Sequence, residues 1–265
     1  MKNRILWILL SVLLFAGAIV LVAYFVWANG YMKPVTESVP STTYAEFTYP
    51  SLTSPVIGTA ATDEAGESSE TTPYVSPIDF ESLQAINPDI IGWIYMERPE
   101  ISLPILRSPD DDSFYLYHNA ERAYERSGSL FVEHNYNSDD FSDMCTVIYG
   151  HRMSNGSMFG TMQATMSEPG FFDTPQYIVI YQPECSRIFQ ICATIPRDNS
   201  HLLYYNDFND RSVYDGFIAD VYSQTGVAVN LVEDARPEYG ERLLILSSCL
   251  WGDRSQRYLV IAREI

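Results

Sequence analysis

Short runs of aliphatic, β-branched and aromatic residues recur through the C-terminal two thirds of the chain, mostly bounded by turn residues. Runs of this length and composition are typical of strands. Eight such strands that close on themselves make a β-barrel. The predicted fold class is therefore mainly β, a closed eight-stranded barrel with short peripheral helices. The eight runs are 90–95, 103–106, 129–132, 146–149, 177–181, 187–194, 243–247 and 258–262.

Two segments instead have the apolar spacing of helices. A short amphipathic helix is predicted to start at Ser76-Pro77-Ile78-Asp79, with Ser76 as N-cap, and to end by Asn87. A longer helix is predicted at 211–224, before the strand at 243–247. Its predicted caps are Asp207 or Asn209, and its predicted apolar face is Val213, Phe217, Ile218, Val221 and Tyr222.

The N-terminal region has a different pattern, because residues 5–28 are apolar or uncharged throughout. At about 1.5 Å per residue this run spans about 36 Å, enough for a hydrocarbon core of about 30 Å. Lys2 and Arg4 precede it, which places the N-terminus in the cytoplasm and the rest outside. A cleaved signal peptide is the alternative, but the run is long for one and Phe25-Val26-Trp27 before Ala28 is a poor cleavage site.

Composition divides the rest of the chain. Residues 29–77 are largely Ser, Thr, Pro, Glu and Ala, which predicts a flexible extracellular linker. The predicted domains are thus a cytoplasmic stub at 1–4, a transmembrane anchor at 5–28, this linker, and a folded domain at 78–265. The predicted location is the cell membrane, with a single pass and the folded domain outside.

The net charge and the hydrophobic content of the chain exclude some classes of protein. The chain has 34 Asp and Glu against 16 Lys and Arg, a net charge of −18, which argues against nucleic acid as a partner. It is 46% hydrophobic and 14% aromatic, enough for a sizeable core. Both lysines, Lys2 and Lys33, precede the folded domain.

One cysteine and one histidine stand out by position. Cys249 follows a predicted strand and precedes the predicted loop 250–256, where a side chain is both held and exposed. His151 follows the strand at 146–149 through Gly150. A Cys and a His at strand ends are the pair that thiol acyl transfer requires.

The remaining cysteines and histidines have plainer interpretations. Cys145 and Cys192 lie in or beside apolar strands and are predicted to act as small hydrophobes, and Cys185 lies in a turn. His118 and His134 are predicted to be solvated in polar loops. No metal-ligand spacing and no phosphate-binding glycine motif occurs in the sequence, so we predict no metal and no cofactor.

At these residues the sequence resembles the sortases, and class B most closely, over about 78–265. The resemblance rests on several short motifs in order. They are NPDIIGWI at 87–94, YLYH at 115–118, SGSLF at 127–131, IYGHRM at 148–153 with GSMF at 156–159, LSSC at 246–249, and Arg257 eight residues after Cys249. Residues 211–224 are similar to the extra helix of class B. Ser248 replaces the usual Thr, and Leu250 stands where a carboxylate could have completed a triad, so no acid is assigned.

The resemblance implies a membrane-anchored cysteine transpeptidase. It would cleave a C-terminal sorting signal after Thr, with Cys249 as nucleophile and His151 supplying the proton for the leaving amine. Arg257 would stabilise the oxyanion or hold the substrate backbone, unless it is a rim salt bridge. Ser247 and Ser248 are candidate substrate contacts. Class B resemblance suggests an NPxTx-like signal.

The acceptor implied by the resemblance is an amine of the cell wall peptidoglycan. Three alternatives stay open. The first is a pilin-polymerising sortase with a lysine of another subunit as acceptor. The second is an L,D-transpeptidase, whose Cys has an H-G-C context that Ser247-Ser248-Cys249-Leu250 lacks. The third is a membrane-tethered binding module without catalysis.

Overall fold

The computed structural model describes residues 74–265, and the fold they form is mainly β. Its nine strands are β1 (Ile90–Met96), β2 (Ile101–Leu106), β3 (Leu130–Phe131), β4 (Cys145–Tyr149), β5 (Tyr177–Tyr181), β6 (Ser186–Asp198), β7 (Asn230–Leu231), β8 (Leu243–Leu250) and β9 (Asp253–Glu264). Its four α-helices are α1 (Phe80–Ile86), α2 (Met162–Met166), α3 (Leu202–Tyr205) and α4 (Arg211–Ser223).

Eight of the strands close into a barrel. The order is β5-β1-β2-β3-β4-β8-β9-β6, and pairing of β6 with β5 closes the ring. The barrel is mixed, because β2–β3 and β4–β8 are parallel pairs and the others are antiparallel. The predicted eight-stranded barrel is confirmed. Strand β7, which has only two residues and lies outside the ring on β6, was not predicted.

The strands that carry the site are buried on both faces. Along β8, Leu244 and Leu246 belong to the cluster that fills the barrel. Leu243 and Ile245 belong to a second cluster outside it, together with Phe217 and other residues of α4. Alternation of side chains along a strand produces this division. Because both faces are covered, β8 reads as one continuous apolar run, and α4 is the outer layer over this side of the barrel.

The helix starts differ from the prediction. Helix α1 begins at Phe80, and its N-cap is Asp79, whose carboxylate accepts from the Ser82 amide at 3.0 Å. Ser76 as N-cap was wrong. Helix α4 is capped by Asp210, whose side chain accepts from the Ser212 amide, so a cap at Asp207 or Asn209 was wrong. In both cases a carboxylate directly beside the first turn satisfies an otherwise unpaired amide.

The buried face of α4 also differs in part from the prediction. Phe217, Ile218 and Val221 are buried as predicted, whereas Val213 and Tyr222 are only partly buried and Tyr214 is buried. The Tyr214 hydroxyl donates to the Glu241 carbonyl at 2.8 Å, which allows its polar end to be buried.

The predicted stub, anchor and most of the linker, residues 1–73, lie outside the described residues. From residue 74 to residue 265, no helix combines the length and the apolar character needed to cross a membrane.

Candidate active site

The β8–β9 hairpin places a thiol opposite a guanidinium. Cys249 on β8 and Arg257 on β9 are partners in the antiparallel register, so their side chains leave the same face of the sheet. Arg257 Nη1 lies 3.9 Å from Cys249 Sγ. The thiol is half-buried. The permanent positive charge of the guanidinium thus lies beside a partly exposed thiol.

The loop predicted at 250–256 is instead a tight turn. Strand β8 continues through Leu250, only Trp251 and Gly252 form the turn, and β9 begins at Asp253. The register then shifts, because Leu250 pairs with Asp253 whereas the next pair is Cys249 with Arg257. The extra residues of β9 between these pairs form a bulge. Bulges redirect side chains beside functional sites, and this one precedes Arg257 directly.

His151 reaches the same edge of the sheet through parallel pairing. Tyr149 of β4 pairs with Ser247 of β8, and His151 and Cys249 each lie two residues further along. The Gly150 amide donates to the Ser247 carbonyl at 3.1 Å, which extends the pairing past the end of β4. Equal offsets on neighbouring parallel strands bring the imidazole and the thiol to one rim of the barrel.

The His151 ring has a defined hydrogen bond on one nitrogen. Nε2 lies 2.9 Å from the Leu116 carbonyl oxygen. A carbonyl only accepts, so Nε2 carries the proton of this bond, and Nδ1 is left for other contacts. The Tyr117 ring packs against the imidazole, with centroids 5.6 Å apart.

Arg257 is held by main-chain oxygens. Its Nη1 lies 3.4 Å from the carbonyl oxygens of Arg254 and of Gln256. Among residues 74–265, no Asp or Glu forms an ion pair with Arg257. The nearby Asp253 is engaged inside its own hairpin. Hydrogen bonds from Ser255 lower the pKa of this carboxyl.

A cavity of about 220 Å³ opens beside this rim. Val147 and Leu259 give it an apolar floor, and Ser247 and Arg257 connect it to the thiol side of β8 and β9. Its remaining lining is mostly polar: Glu133, Tyr149, Arg197, Asp198, Asn199, Ser200, His201 and Leu202. An extended peptide laid along the rim would therefore meet an apolar floor with polar walls.

Two long-range ion pairs hold the walls of the cavity. His201 Nε2 lies 2.8 Å from the Glu133 carboxylate, to which the Tyr149 hydroxyl also donates. Burial raises the pKa of Glu133, and the charge of His201 opposes this shift. Arg197, on β6, pairs with Asp220 of α4 at 2.8 Å. Sequence reasoning missed these residues because the partners are 68 and 23 positions apart and no local motif marks them.

The two serines before Cys249 point to opposite faces. Ser247 is 5% exposed and lines the cavity. Ser248 is 3% exposed and pairs with Tyr258, which belongs to the cluster inside the barrel. Ser247, two residues before Cys249 on β8, therefore shares the cavity side of the strand with the thiol. Ser248 faces the barrel interior.

The other thiols differ from Cys249 in burial. Cys145 and Cys192 are buried free thiols, as predicted for small hydrophobes, and Cys185 is exposed. Cys192 Sγ donates to the Ile261 carbonyl at 3.1 Å. Burial raises the pKa of Cys192 to about 12.

The histidines predicted to be solvated are not. His134 pairs with Asp112 at 2.7 Å, and His118 stacks on Phe114 with ring centroids 4.0 Å apart. Both are half-buried. Within the described part of the chain, no three His, Cys, Asp or Glu side chains are arranged to hold a metal ion.

A further pair of side chains borders the thiol and the imidazole. Trp251, in the turn after Cys249, is 64% exposed. The Arg152 guanidinium, next to His151, lies 5.9 Å from the centroid of that indole. The Trp251 amide donates to the Gln163 side chain at 2.7 Å, which anchors the turn to α2.

A closed mixed barrel with a thiol, an imidazole and a guanidinium at one rim is the architecture of the sortase class. No protein-family model matches the chain. Sortase B of Listeria monocytogenes is 27% identical over 178 residues, covering 64% of this chain and 67% of the relative. Sortase B of Staphylococcus aureus is 25% identical over 197 residues, covering 72% of this chain and 76% of the relative.

Solved structures agree with the sequence relatives. Sortase B of Clostridium perfringens matches with a TM-score of 0.60 and 26% identity, covering 71% of this chain and 100% of that chain. This chain is therefore a homologue of the class B sortases and shares their fold.

Proposed function

We propose that the chain is a membrane-anchored cysteine transpeptidase. It cleaves the C-terminal sorting signal of secreted proteins after Thr and joins the new carboxyl end to an amine of the cell wall peptidoglycan. The observation that carries the proposal is the Cys249 thiol beside the Arg257 guanidinium, with His151 at the matching position of the neighbouring parallel strand.

In the first half-reaction, the Cys249 thiol passes its proton to His151 Nδ1, and the thiolate attacks the Thr carbonyl carbon. The resulting oxyanion is stabilised by the Arg257 guanidinium, which stays charged at any working pH. Collapse breaks the C–N bond, His151 Nδ1 gives its proton to the leaving amine, and a thioester on Cys249 remains.

In the second half-reaction, the incoming amine attacks the thioester carbonyl. His151 Nδ1 accepts a proton from this amine, a new C–N bond forms, and the Cys249 thiolate leaves. Throughout both steps the Nε2 proton stays on its bond to the Leu116 carbonyl. One nitrogen thus orients the ring and the other moves the proton.

The acyl part of the sorting signal occupies the cavity next to Ser247 and Arg257, whose apolar floor and polar walls suit an extended peptide. The walls depend on Glu133 with His201 and on Arg197 with Asp220. The transmembrane anchor at 5–28 and the linker at 29–77 would hold the domain on the outer side of the membrane, where secreted proteins and cell wall amines are found.

The first experiment is a cleavage screen. Fluorogenic peptides with Asn-Pro-x-Thr and Leu-Pro-x-Thr cores are incubated with the full chain and with its Cys249→Ala variant. We expect cleavage after Thr of an Asn-Pro-x-Thr peptide, and none with the variant. Equal activity of the two proteins would refute the proposal. Adding peptidoglycan-type amines or a pilin lysine peptide then separates wall anchoring from pilus assembly.

A further inference from the structure

Gly128 lies next to the Leu116 carbonyl, which hydrogen-bonds the His151 ring. The Leu116 carbonyl belongs to the three-residue 3₁₀ turn Phe114–Leu116. Its position fixes which imidazole nitrogen carries the proton, because it accepts from Nε2 at 2.9 Å. The question is what fixes the carbonyl, since a turn of three residues has few bonds of its own.

The segment before β3 packs directly against this turn. The Ser129 amide donates to the Tyr115 carbonyl at 2.9 Å, and the Ser129 hydroxyl donates to the His118 carbonyl at 3.0 Å. Ser129 is 7% exposed. Two bonds from one residue therefore bind the turn on either side of Leu116.

Between these two bonds, the backbone at Gly128 lies so close to the backbone of the 3₁₀ turn that no side chain fits at position 128. Gly128 has φ +57°, and a Cβ built on it would lie 2.4 Å from the Leu116 carbonyl oxygen and 2.5 Å from the Tyr115 carbonyl oxygen. The next nearest atom, the Leu116 carbonyl carbon, would lie at 2.7 Å. All three are main-chain atoms, so a methyl group there displaces the turn itself.

We propose that Gly128 is a positioning residue, which sets the place of the Leu116 carbonyl and through it the tautomer and orientation of His151. The proposal rests on the proposed function, in which His151 Nδ1 moves the proton. A side chain at 128 would push the carbonyl away from Nε2. The imidazole would then lose its fixed tautomer, and Nδ1 would no longer be the reliably unprotonated nitrogen.

The test is Gly128→Ala in the full chain, read out on His151 itself. Long-range ¹H–¹⁵N NMR of the imidazole distinguishes protonated Nε2 from protonated Nδ1. We expect the wild type to show the Nε2–H form alone and the variant a mixture. With the peptide that the screen identifies, kcat should fall about 10-fold to 100-fold and KM change little, since a misplacement near 1 Å costs about this much.

Two glycines provide matched controls. Gly240 has φ +108° but no atom within 4 Å of its built Cβ, so Gly240→Ala carries the backbone strain without the collision. Gly216, in α4, also has nothing within 4 Å. Neither control should alter the His151 spectrum or kcat. If Gly128→Ala lowers only the melting temperature and leaves the His151 tautomer and kcat at wild-type values, the proposal is wrong.

A milder variant covers the case that Gly128→Ala does not fold. Ser129→Ala removes only the bond to the His118 carbonyl and should shift the spectrum in the same direction by less. An unchanged His151 spectrum and kcat in that variant would also overturn the proposal. The proposed function and the positioning role of Gly128 can fail separately. An active His151→Ala enzyme would refute the catalytic role of His151, whereas the NMR spectrum reports on the positioning of the ring alone.

Discussion

The β8–β9 hairpin, called the ribbon below, carries arginines at both of its ends, but in opposite electrostatic settings. At the end where β8 begins and β9 finishes, the arginines are paired with acids. Arg263 pairs with Glu241, and Glu264 accepts from Arg242 at 3.0 Å and from Arg187 at 2.8 Å. At the other end, Arg257 faces the Cys249 thiol and two carbonyl oxygens.

The contrast separates arginines that hold the barrel from one that serves the site. In a chain with 34 acids and 16 bases, carboxylates are abundant enough to neutralise most cations. An arginine that is not paired with a carboxylate keeps its charge and its donors available for an oxyanion, whereas an ion pair engages part of the guanidinium and neutralises its charge. The unpaired end of the ribbon is therefore where the structure supports chemistry.

The same contrast applies to the thiols beside β9. Cys192 lies on β6 at the bulge between Ile191 and Ala193, is fully buried, and donates to Ile261. Cys249 lies on the opposite neighbour, β8, at the rim. Only the second thiol has both exposure and an adjacent cation.

The largest expected effect is in thiol alkylation. We expect iodoacetamide to modify Cys249 more than about 10³-fold faster than Cys192, because a buried thiol reacts only when the barrel opens. Peptide mapping after timed quenching measures both rates in one sample. Cys185, which is exposed and whose thiol donates to the Gln182 side chain at 3.3 Å, is the internal control and should react more slowly than Cys249. Equal rates at Cys185 and Cys249 would favour the non-catalytic binding module.

The next largest effect is expected when the arginine at one end of the ribbon or at the other is replaced by alanine. Arg257→Ala should lower kcat/KM about 10²-fold to 10³-fold, as the loss of an oxyanion donor does, and leave the melting temperature nearly unchanged. Arg263→Ala should do the reverse, with wild-type kcat/KM and a free energy of unfolding lower by about 1 kcal/mol. Steady-state kinetics and thermal unfolding of both variants measure these effects. Equal loss of activity in the two variants would contradict the different roles assigned to Arg257 and Arg263.

A smaller effect is expected at the cavity wall. His201→Ala removes the ion pair with Glu133 and leaves that carboxylate in a site where burial already raises its pKa. The wall should loosen and KM rise about 3-fold to 10-fold, while kcat stays constant because no reacting atom is touched. His134→Ala, which breaks the 2.7 Å pair with Asp112, is the matched control and should leave KM unchanged. A fall in kcat in His201→Ala would contradict the assignment.

The smallest effect is expected in the pH dependence of the free energy of unfolding, at Asp140. Hydrogen bonds from Ser142 and Ser138 lower the pKa of Asp140 from 3.8 to about 2. A lowered carboxyl pKa stabilises the fold above pH 4 and the contribution is lost as the pH falls from about 4 to about 2. Because Asp140 is exposed, Asp140→Asn should cost less than about 1 kcal/mol at pH 7. Urea unfolding at pH 7 and pH 2.5 should give a clearly larger difference between the proteins at pH 7 than at pH 2.5.

The barrel was predictable because its strands carry their own signals. Apart from β7, each strand contains an apolar run that is mostly bounded by turn residues. Strand β8 is recognisable in the sequence because both of its faces are buried, which makes it one continuous apolar run. The two-residue strand β7 has no such signal. The helix caps were off by one to three positions because several Asp, Asn and Ser residues stood near each start, and only the three-dimensional turn selects one.

Sequence reasoning singled out Cys249 and His151 as candidates for a similar reason, and it missed the residues that support the cavity. Cys249 and His151 follow strands, and strand ends are visible in the sequence. The cavity walls depend instead on Glu133 with His201 and on Arg197 with Asp220, pairs that only folding brings together. Alternation along the strand predicts that Ser247, two residues before Cys249, shares its face, and β8 continues through Leu250 and places Ser247 on the cavity side.

The most direct test of the account is intact mass spectrometry of the full chain mixed with a cleavable sorting peptide and no amine acceptor. The account predicts an adduct with the mass of the acyl fragment ending in Thr, located on Cys249, and released by hydroxylamine as a thioester should be. It also predicts no adduct in Cys249→Ala. Cleavage of the peptide without an adduct in rapidly quenched samples, or an adduct that survives in Cys249→Ala, would contradict it.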